Sequence, residues 1–166
     1  MNFLTSKWFL IVIILVAIFL ILYFLGKKSV HHEISINATP QKVWKVLTDM
    51  SVYDEWNPTM KLVNGEVKVG NKVTYQFTQD ENNISEIPAT VKQLIPNELL
   101  NQSGGILLVL TYNHRYILEP QNSGTKVIIH EDYKGIGVNF WNPKPVEKAY
   151  ERLNIALKKR VEQTLE

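Results

Sequence analysis

Between Trp8 and Leu25 the chain runs 18 residues without a charge, WFLIVIILVAIFLILYFL, and this stretch limits what the remainder can be. As a helix rising ~1.5 Å per residue it spans about 27 Å, near the ~30 Å hydrocarbon layer of a bilayer. Its Leu, Ile, Val and Phe residues each favour insertion by ~0.3–0.6 kcal/mol near the membrane centre, and no polar side chain opposes them. A helix lodged in a soluble core shows a polar face, and this one has none. A cleavable leader needs small residues at its cut, whereas Tyr23-Phe24-Leu25-Gly26 is bulky. The sequence therefore predicts a single-pass membrane anchor over residues 8–25, with amphipathic Trp8 and Tyr23 near its ends. Anchor and juxtamembrane stalk make one unit, residues 1–29. A single domain must then fold from residues 30–166, enough chain for a real core.

The formal charge of +2 is unevenly placed. Lys7, Lys27 and Lys28 flank the anchor, leaving 15 basic residues against 16 acidic ones beyond it. The folded part carries no basic field to hold nucleic acid. With the terminal amine blocked or formylated, the Lys27-Lys28 pair places the domain on the cytoplasmic side. Cysteine is absent, which excludes disulfides, thiolate zinc sites and a Cys nucleophile. His31-His32 reads as a solvated stalk, since adjacent residues entering a strand point to opposite faces.

The closing segment, Pro145 to about Leu165, spaces Val146, Ala149, Tyr150, Leu153, Ala156, Leu157, Val161 and Leu165 as one face of a long helix. Such a helix needs a surface to lie on. Strand-like runs supply it: Val30–Asn37, Met60–Val63, Val67–Val69, Val73–Thr78, Ile87–Ile95, Leu99–Gln102, Ile106–Leu118 and Thr125–Tyr133. Turns are expected at Asn64-Gly65, Asp80–Asn83, Pro96-Asn97, Gly104-Gly105 and Pro120–Gly124. Pro88 marks an edge or a bulge. Near the start, Thr39 suits an N-cap and Pro40 the first helical position, with Val43, Val46, Leu47 and Met50 as the buried stripe. A second short helix restarts at Ser51 and ends by Pro58. The elements describe an α+β domain: about seven antiparallel strands, two helices early and one late.

Three blocks carry a family resemblance. The first is Ile36-Asn37-Ala38-Thr39-Pro40-Gln41-Lys42-Val43-Trp44-Lys45-Val46-Leu47-Thr48-Asp49, followed by Tyr53, Trp56, Asn57 and Pro58. The second joins Leu118-Glu119-Pro120 and Gly124-Thr125-Lys126-Val127 to Glu131-Asp132-Tyr133-Lys134-Gly135. The third is the final helix, with Tyr150, Asn154, Leu157 and Lys158. In this order they resemble the START-like helix-grip (SRPBCC) superfamily, in its polyketide cyclase/dehydrase-like branch. One departure is Asn101-Gln102-Ser103-Gly104, which stands where relatives commonly carry a tryptophan-containing strand. The resemblance implies a curved seven-stranded antiparallel sheet wrapped around the C-terminal helix, with a deep apolar cavity between them. It also implies a hydrophobic ligand such as a lipid, quinone or polyketide-like molecule.

The residues themselves carry little catalytic signal. The chain shows no serine-nucleophile motif, no phosphate-binding glycine loop, no metal spacing among four histidines and no cofactor fingerprint. One constellation stands out: His114, Tyr116 and Leu118 alternate onto one face, and Val127, Ile129, Glu131 and Tyr133 onto another. A hairpin turning near Gln121–Ser123 brings His114 beside Ile129 or Glu131. Such a His/Glu pair could act as acid and base with Tyr75 or Tyr112 as donor, or be a satisfied structural pair. Residues 135–142 combine two glycines with Ile136, Val138, Phe140 and Trp141, and read as a lid, a bilayer-dipping loop or plain packing. The ligand-lining candidates are Trp56, Tyr75, Phe77, Tyr112, His114, Tyr116, Glu131, Tyr133, Phe140, Trp141, Tyr150 and Asn154. Three functions remain open: membrane-tethered binding of a hydrophobic small molecule or lipid, a cyclase or dehydratase using His114 and Glu131, and a regulatory or interaction domain whose cavity has collapsed.

Overall fold

The computed structural model describes residues 7–163. The uncharged run forms α1 (Lys7–Leu25), none of whose residues is buried by the rest of the chain. Gly26 alone separates it from β1 (Lys27–Ile36). The stretch expected to be a stalk is thus already sheet: Lys27, Lys28 and Ser29 pair with Lys134, Tyr133 and Asp132.

After β1 come α2 (Pro40–Thr48), a 3-10 turn (Met50–Val52) and α3 (Tyr53–Trp56). The strands β2 (Met60–Asn64), β3 (Lys72–Asp80), β4 (Asn83–Ile95), β5 (Leu99–Ile106), β6 (Leu110–Gln121) and β7 (Gly124–Lys134) follow. A second 3-10 turn (Ile136–Phe140) leads into α4 (Lys144–Gln163). All seven strands join one antiparallel sheet in the order β1-β7-β6-β5-β4-β3-β2. The sheet curls around α4, giving the expected α+β helix-grip architecture.

Side-chain periodicity explains the arrangement. α4 buries Val146, Ala149, Tyr150, Leu153, Leu157 and Val161, while Glu147, Lys148, Glu151, Arg152 and Lys159 stay exposed. Ala156 is half-buried, and Leu165 lies outside the described residues. Each fully buried Leu or Val contributes about 1.5–3 kcal/mol relative to exposure, so this stripe holds a helix that its own propensity would not. The facing strands alternate with period two: Val73, Tyr75 and Phe77 on β3, His114, Tyr116 and Leu118 on β6, and Val127, Ile129, Glu131 and Tyr133 on β7 are all buried. Thr39 has the extended backbone of an N-cap and Pro40 opens α2, although the threonine hydroxyl makes no cap bond. Val43 and Leu47 are buried, and Val46 and Met50 are half-buried beside them.

Two strand assignments differ from the sequence reading. Val67–Val69 is a loop, because Gly65 and Gly70, both at φ +89°, turn the chain back on itself. Its polar backbone is spent on the flank of β4: Gly70 N–H donates to Val91 O, and Val91 N–H to Asn71 O. The turn expected at Gly104-Gly105 instead falls at Leu107-Leu108-Val109, so β6 begins at Leu110, not Ile106. Gly104 stays within β5 because the Tyr112 ring lies across it; a Cβ there would sit 2.5 Å from Tyr112 Oη. Pro88 does sit at a local edge. Pairing of β4 with β5 stops at Ala89, and beyond it β4 has only β3 as a partner.

Candidate functional site

The β6–β7 hairpin places His114 directly opposite Glu131, and alternation turns both side chains toward α4. α4 brings Tyr150 to the same point. Its hydroxyl donates to Glu131 Oε2 and lies 3.2 Å from His114 Nδ1, which itself is 3.4 Å from Glu131 Oε2. His114, Glu131 and Tyr150 are each only 4% exposed. In the tautomer that donates to Glu131, His114 carries its proton on Nδ1. His114 Nε2 then presents a lone pair to the interior, and it has no hydrogen-bond partner among the described residues.

Aromatic rings surround this triad. The His114 ring meets Tyr116 edge to face at 4.6 Å and Tyr150 at 5.3 Å, and Phe77 packs on Tyr150 at 6.3 Å. Burial, followed by the Glu131 charge, pushes the Tyr150 and Tyr133 hydroxyls far above the ordinary phenol value. Burial also lifts Tyr75 to about 12, against a lowering hydrogen bond from Gln102. These phenols stay protonated, so near neutral pH they act as neutral donors.

The hollow expected between sheet and helix is occupied. Tyr75, Phe77, Tyr116, Tyr133, Tyr150, Leu153 and their neighbours form one continuous cluster. The open clefts described lie on the surface, the most spacious of them (about 580 Å³) between Pro58, Thr78, Asp80–Asn82 and Arg152. Large aromatic side chains on three strands and the helix converge on one point and fill it.

Most of the predicted residues are gathered here, but not all in the expected role. Tyr112, named as a donor beside Tyr75, gives its hydroxyl to Pro88 O at 2.8 Å instead, replacing the ladder partner that β4 lacks there. Tyr75 is joined to Gln102 Nε2 at 2.6 Å. The donor that reaches the His/Glu pair is Tyr150. Asn154 is fully buried but turns toward β1, its Nδ2 2.9 Å from His32 Nδ1 and 3.3 Å from His32 O. It clamps helix to strand through Nδ2, and its Oδ1 is buried without a partner among the described residues. Trp56 packs edge to face on Tyr53 at 4.9 Å and borders a shallow surface cleft beside Glu55 and Arg160. Trp141 leans on Tyr133 at 4.4 Å, and Val138 is fully buried, so the 136–141 segment packs down. Phe140 alone points away from it, 79% exposed.

Gln102, buried opposite His114, was not among the predicted residues. Asn101, also buried, donates to His114 O at 3.1 Å and to Asn113 Oδ1 at 2.6 Å. Period two would have exposed Gln102 had the turn been sought beyond Gly105. Among the described residues no cluster of His, Asp and Glu could hold a metal ion.

Residues 27–162 match the family model described as polyketide cyclase/dehydrase and lipid transport. No curated protein matches the sequence. Several solved structures share the fold. Protein CV1439 from Chromobacterium violaceum is 15% identical with a TM-score of 0.66, over 81% of this chain and 96% of its own. Ara h 8.0201 is 14% identical with a TM-score of 0.65, over 83% and 99%. The Zhui aromatase/cyclase from Streptomyces sp. R1128 is 15% identical with a TM-score of 0.62, over 84% and 96%. From the first rung of β1 to the last turn of α4, this chain belongs to the polyketide cyclase/dehydrase and lipid transport family.

Proposed function

We propose that the protein is a membrane-anchored binding domain for a small apolar molecule bearing a hydroxyl group, held at His114. The observation that carries this reading is His114 Nε2, a buried ring nitrogen without a partner inside an otherwise apolar and aromatic interior. An unpaired buried polar atom costs about 1–3 kcal/mol, and a ligand hydroxyl donating to it removes that cost. Family membership and the aromatase/cyclase among the structural neighbours point to the same ligand class. Because aromatic side chains fill the interior, the ligand enters by displacing them. Trp141, which leans on the β7 residue Tyr133 from the end of a five-residue 3-10 turn, is the movable part.

The anchor supports this use. α1 is long and apolar enough to cross a membrane, and its end is used by the domain: Asn139 Nδ2 donates to Leu22 O and Gly135 N–H to Gly26 O. These two bonds favour a segment that is retained over a cleaved leader. Tethering raises the local concentration of any bilayer-dissolved ligand at the domain. With the terminal amine blocked or formylated, the positive-inside bias of Lys27 and Lys28 supports a domain on the cytoplasmic side.

The triad also favours a second reading, proton transfer next to a ligand carbonyl, because Glu131, His114 and Tyr150 form a connected acid/base set. One experiment addresses both. The full chain in lipid nanodiscs is heated with long-chain ketones, hydroquinones, fatty alcohols and fused-ring phenols, and the products are analysed afterwards. A ligand at 100 times its Kd raises stability by about 2.7 kcal/mol. Binding predicts a raised Tm that His114→Phe abolishes, with the compound recovered unchanged. Recovery of a cyclised or dehydrated product favours the enzyme, and no shift with any class refutes both.

A further inference from the structure

Three chain segments meet at one end of the sheet: the exit of α1, the β5–β6 turn and the 136–140 turn. They are fastened together through backbone. Ile136 N–H donates to Leu108 O at 3.0 Å, Gly137 N–H to Val109 O at 2.8 Å, and Gly135 N–H to Gly26 O at 2.9 Å. The Asn139 side chain completes the join at Leu22 O, 2.8 Å away.

The β5–β6 turn has the wrong chemistry for a turn in water. Ile106-Leu107-Leu108-Val109 contains none of the Gly, Asn, Asp or Pro residues that tight turns use. Leu108 takes φ +68°, where a branched side chain is strained. The four residues are 68, 75, 42 and 51% exposed, and Phe140, in the turn bonded to them, is 79% exposed. β5 and β6 pair with each other out to Ile106 and Leu110, past Ala89 where β4 leaves β5, so the tip has no β4 partner beside it. Exposed Lys27 and Lys134 face each other across the first rung just behind it. Lys134 Nζ also lies 4.9 Å from the centre of the Tyr23 ring, near the end of α1.

We infer that the Ile106–Val109 tip and Phe140 form a second membrane contact, inserted into the acyl region beside α1 while Lys27 and Lys134 sit among the headgroups. Continuity with α1 selects lipid as the occupant. The uncharged run ends at Leu25, one residue before the joint that holds the tip, so bilayer that surrounds α1 reaches the tip as well. Lysines around an apolar prong are the expected arrangement at such an interface. This inference rests on the reading of α1 as a membrane span.

The chain has no cysteine, so a single introduced cysteine accepts a nitroxide label at one place only. Full-length chains carrying Leu107→Cys, Val16→Cys or Ser123→Cys are reconstituted in phosphatidylcholine/phosphatidylglycerol vesicles. Each label's collision rate is read with oxygen, which concentrates in acyl chains, and with a neutral nickel chelate, which stays in water. Position 16 reports the span, and position 123 lies in the β6–β7 turn at the opposite end of the sheet. The expected result is oxygen-dominated collision at 16 and 107 and nickel-dominated collision at 123. Oxygen at 16 with nickel at 107 overturns the tip insertion and leaves the anchor standing. Nickel at 16 overturns the anchor and the inference with it. A label at 107 shielded from both reagents marks a protein contact and also overturns the inference.

Discussion

Tyr150→Phe is the sharpest probe of the buried triad, because it removes one oxygen and leaves the ring that packs on Phe77 and His114. The lost hydroxyl donates to Glu131, whose side chain is 5% exposed. A hydrogen bond to a charged group contributes about 1.5–3 kcal/mol. Glu131 keeps its 3.4 Å contact with His114 Nδ1, so the loss belongs near the lower end, about 2 kcal/mol. For a domain of this size that lowers Tm by about 5–10 °C. The assay is urea and thermal unfolding of the full chain in nanodiscs, followed by tryptophan fluorescence, for wild type, Tyr150→Phe, Glu131→Gln and the double variant. The coupling energy between the two sites should exceed about 1 kcal/mol, within the range for groups in direct contact. A single-variant loss below about 0.5 kcal/mol, or additive losses, would mean that the carboxylate and phenol do not share a buried hydrogen bond. The triad would then be dismantled as a unit.

Other outcomes follow from the same structure. Tyr75 titrates near 12 when folded and near 10 when unfolded. Its stabilisation is complete below pH 10 and is lost as pH rises through 12, at about 1.4 kcal/mol per unit; urea midpoints between pH 8 and 11.5 should fall, less steeply in Tyr75→Phe. Leu157→Ala removes a fully buried side chain from the α4 stripe and should cost about 2–5 kcal/mol, read from the same unfolding curves. Gly26→Val should loosen the joint, since a Cβ there would lie 2.0 Å from Gly135 O; hydrogen exchange at the Gly135 and Ile136 amides should accelerate while amides in the middle of β6 keep their rates.

What the sequence revealed and what it hid have physical causes. The Val73–Phe77 alternation and the α4 stripe were readable because one buried face imposes a period that nothing local contradicts. That His114 meets Ile129 or Glu131 was readable because the Pro120–Gly124 turn limits the β6–β7 register, and the structure selects Glu131. The β5–β6 turn was not. Glycine ordinarily signals a turn, but Gly104 is there to admit the Tyr112 ring, and the actual turn is apolar. That shift of register also hid Gln102. Tyr150 was legible as core, but its bond to Glu131 depends on how α4 is rotated over the sheet, which no local pattern sets. The filled interior was illegible for a similar reason: family resemblance speaks to the walls of a cavity, and side-chain volume decides whether it stays open.

On the proposed reading of α1 as a membrane span, a helix joined to its domain through one glycine, itself pinned by a backbone bond to Gly135, has no swivel. Helices adjust to thin or thick bilayers by changing their tilt, and here the sheet must lean with them. Under that proposal the angle at which the domain meets the lipid surface would be set by the thickness of the surrounding membrane, and moving the protein between membranes of different composition would re-aim it without any partner or signal.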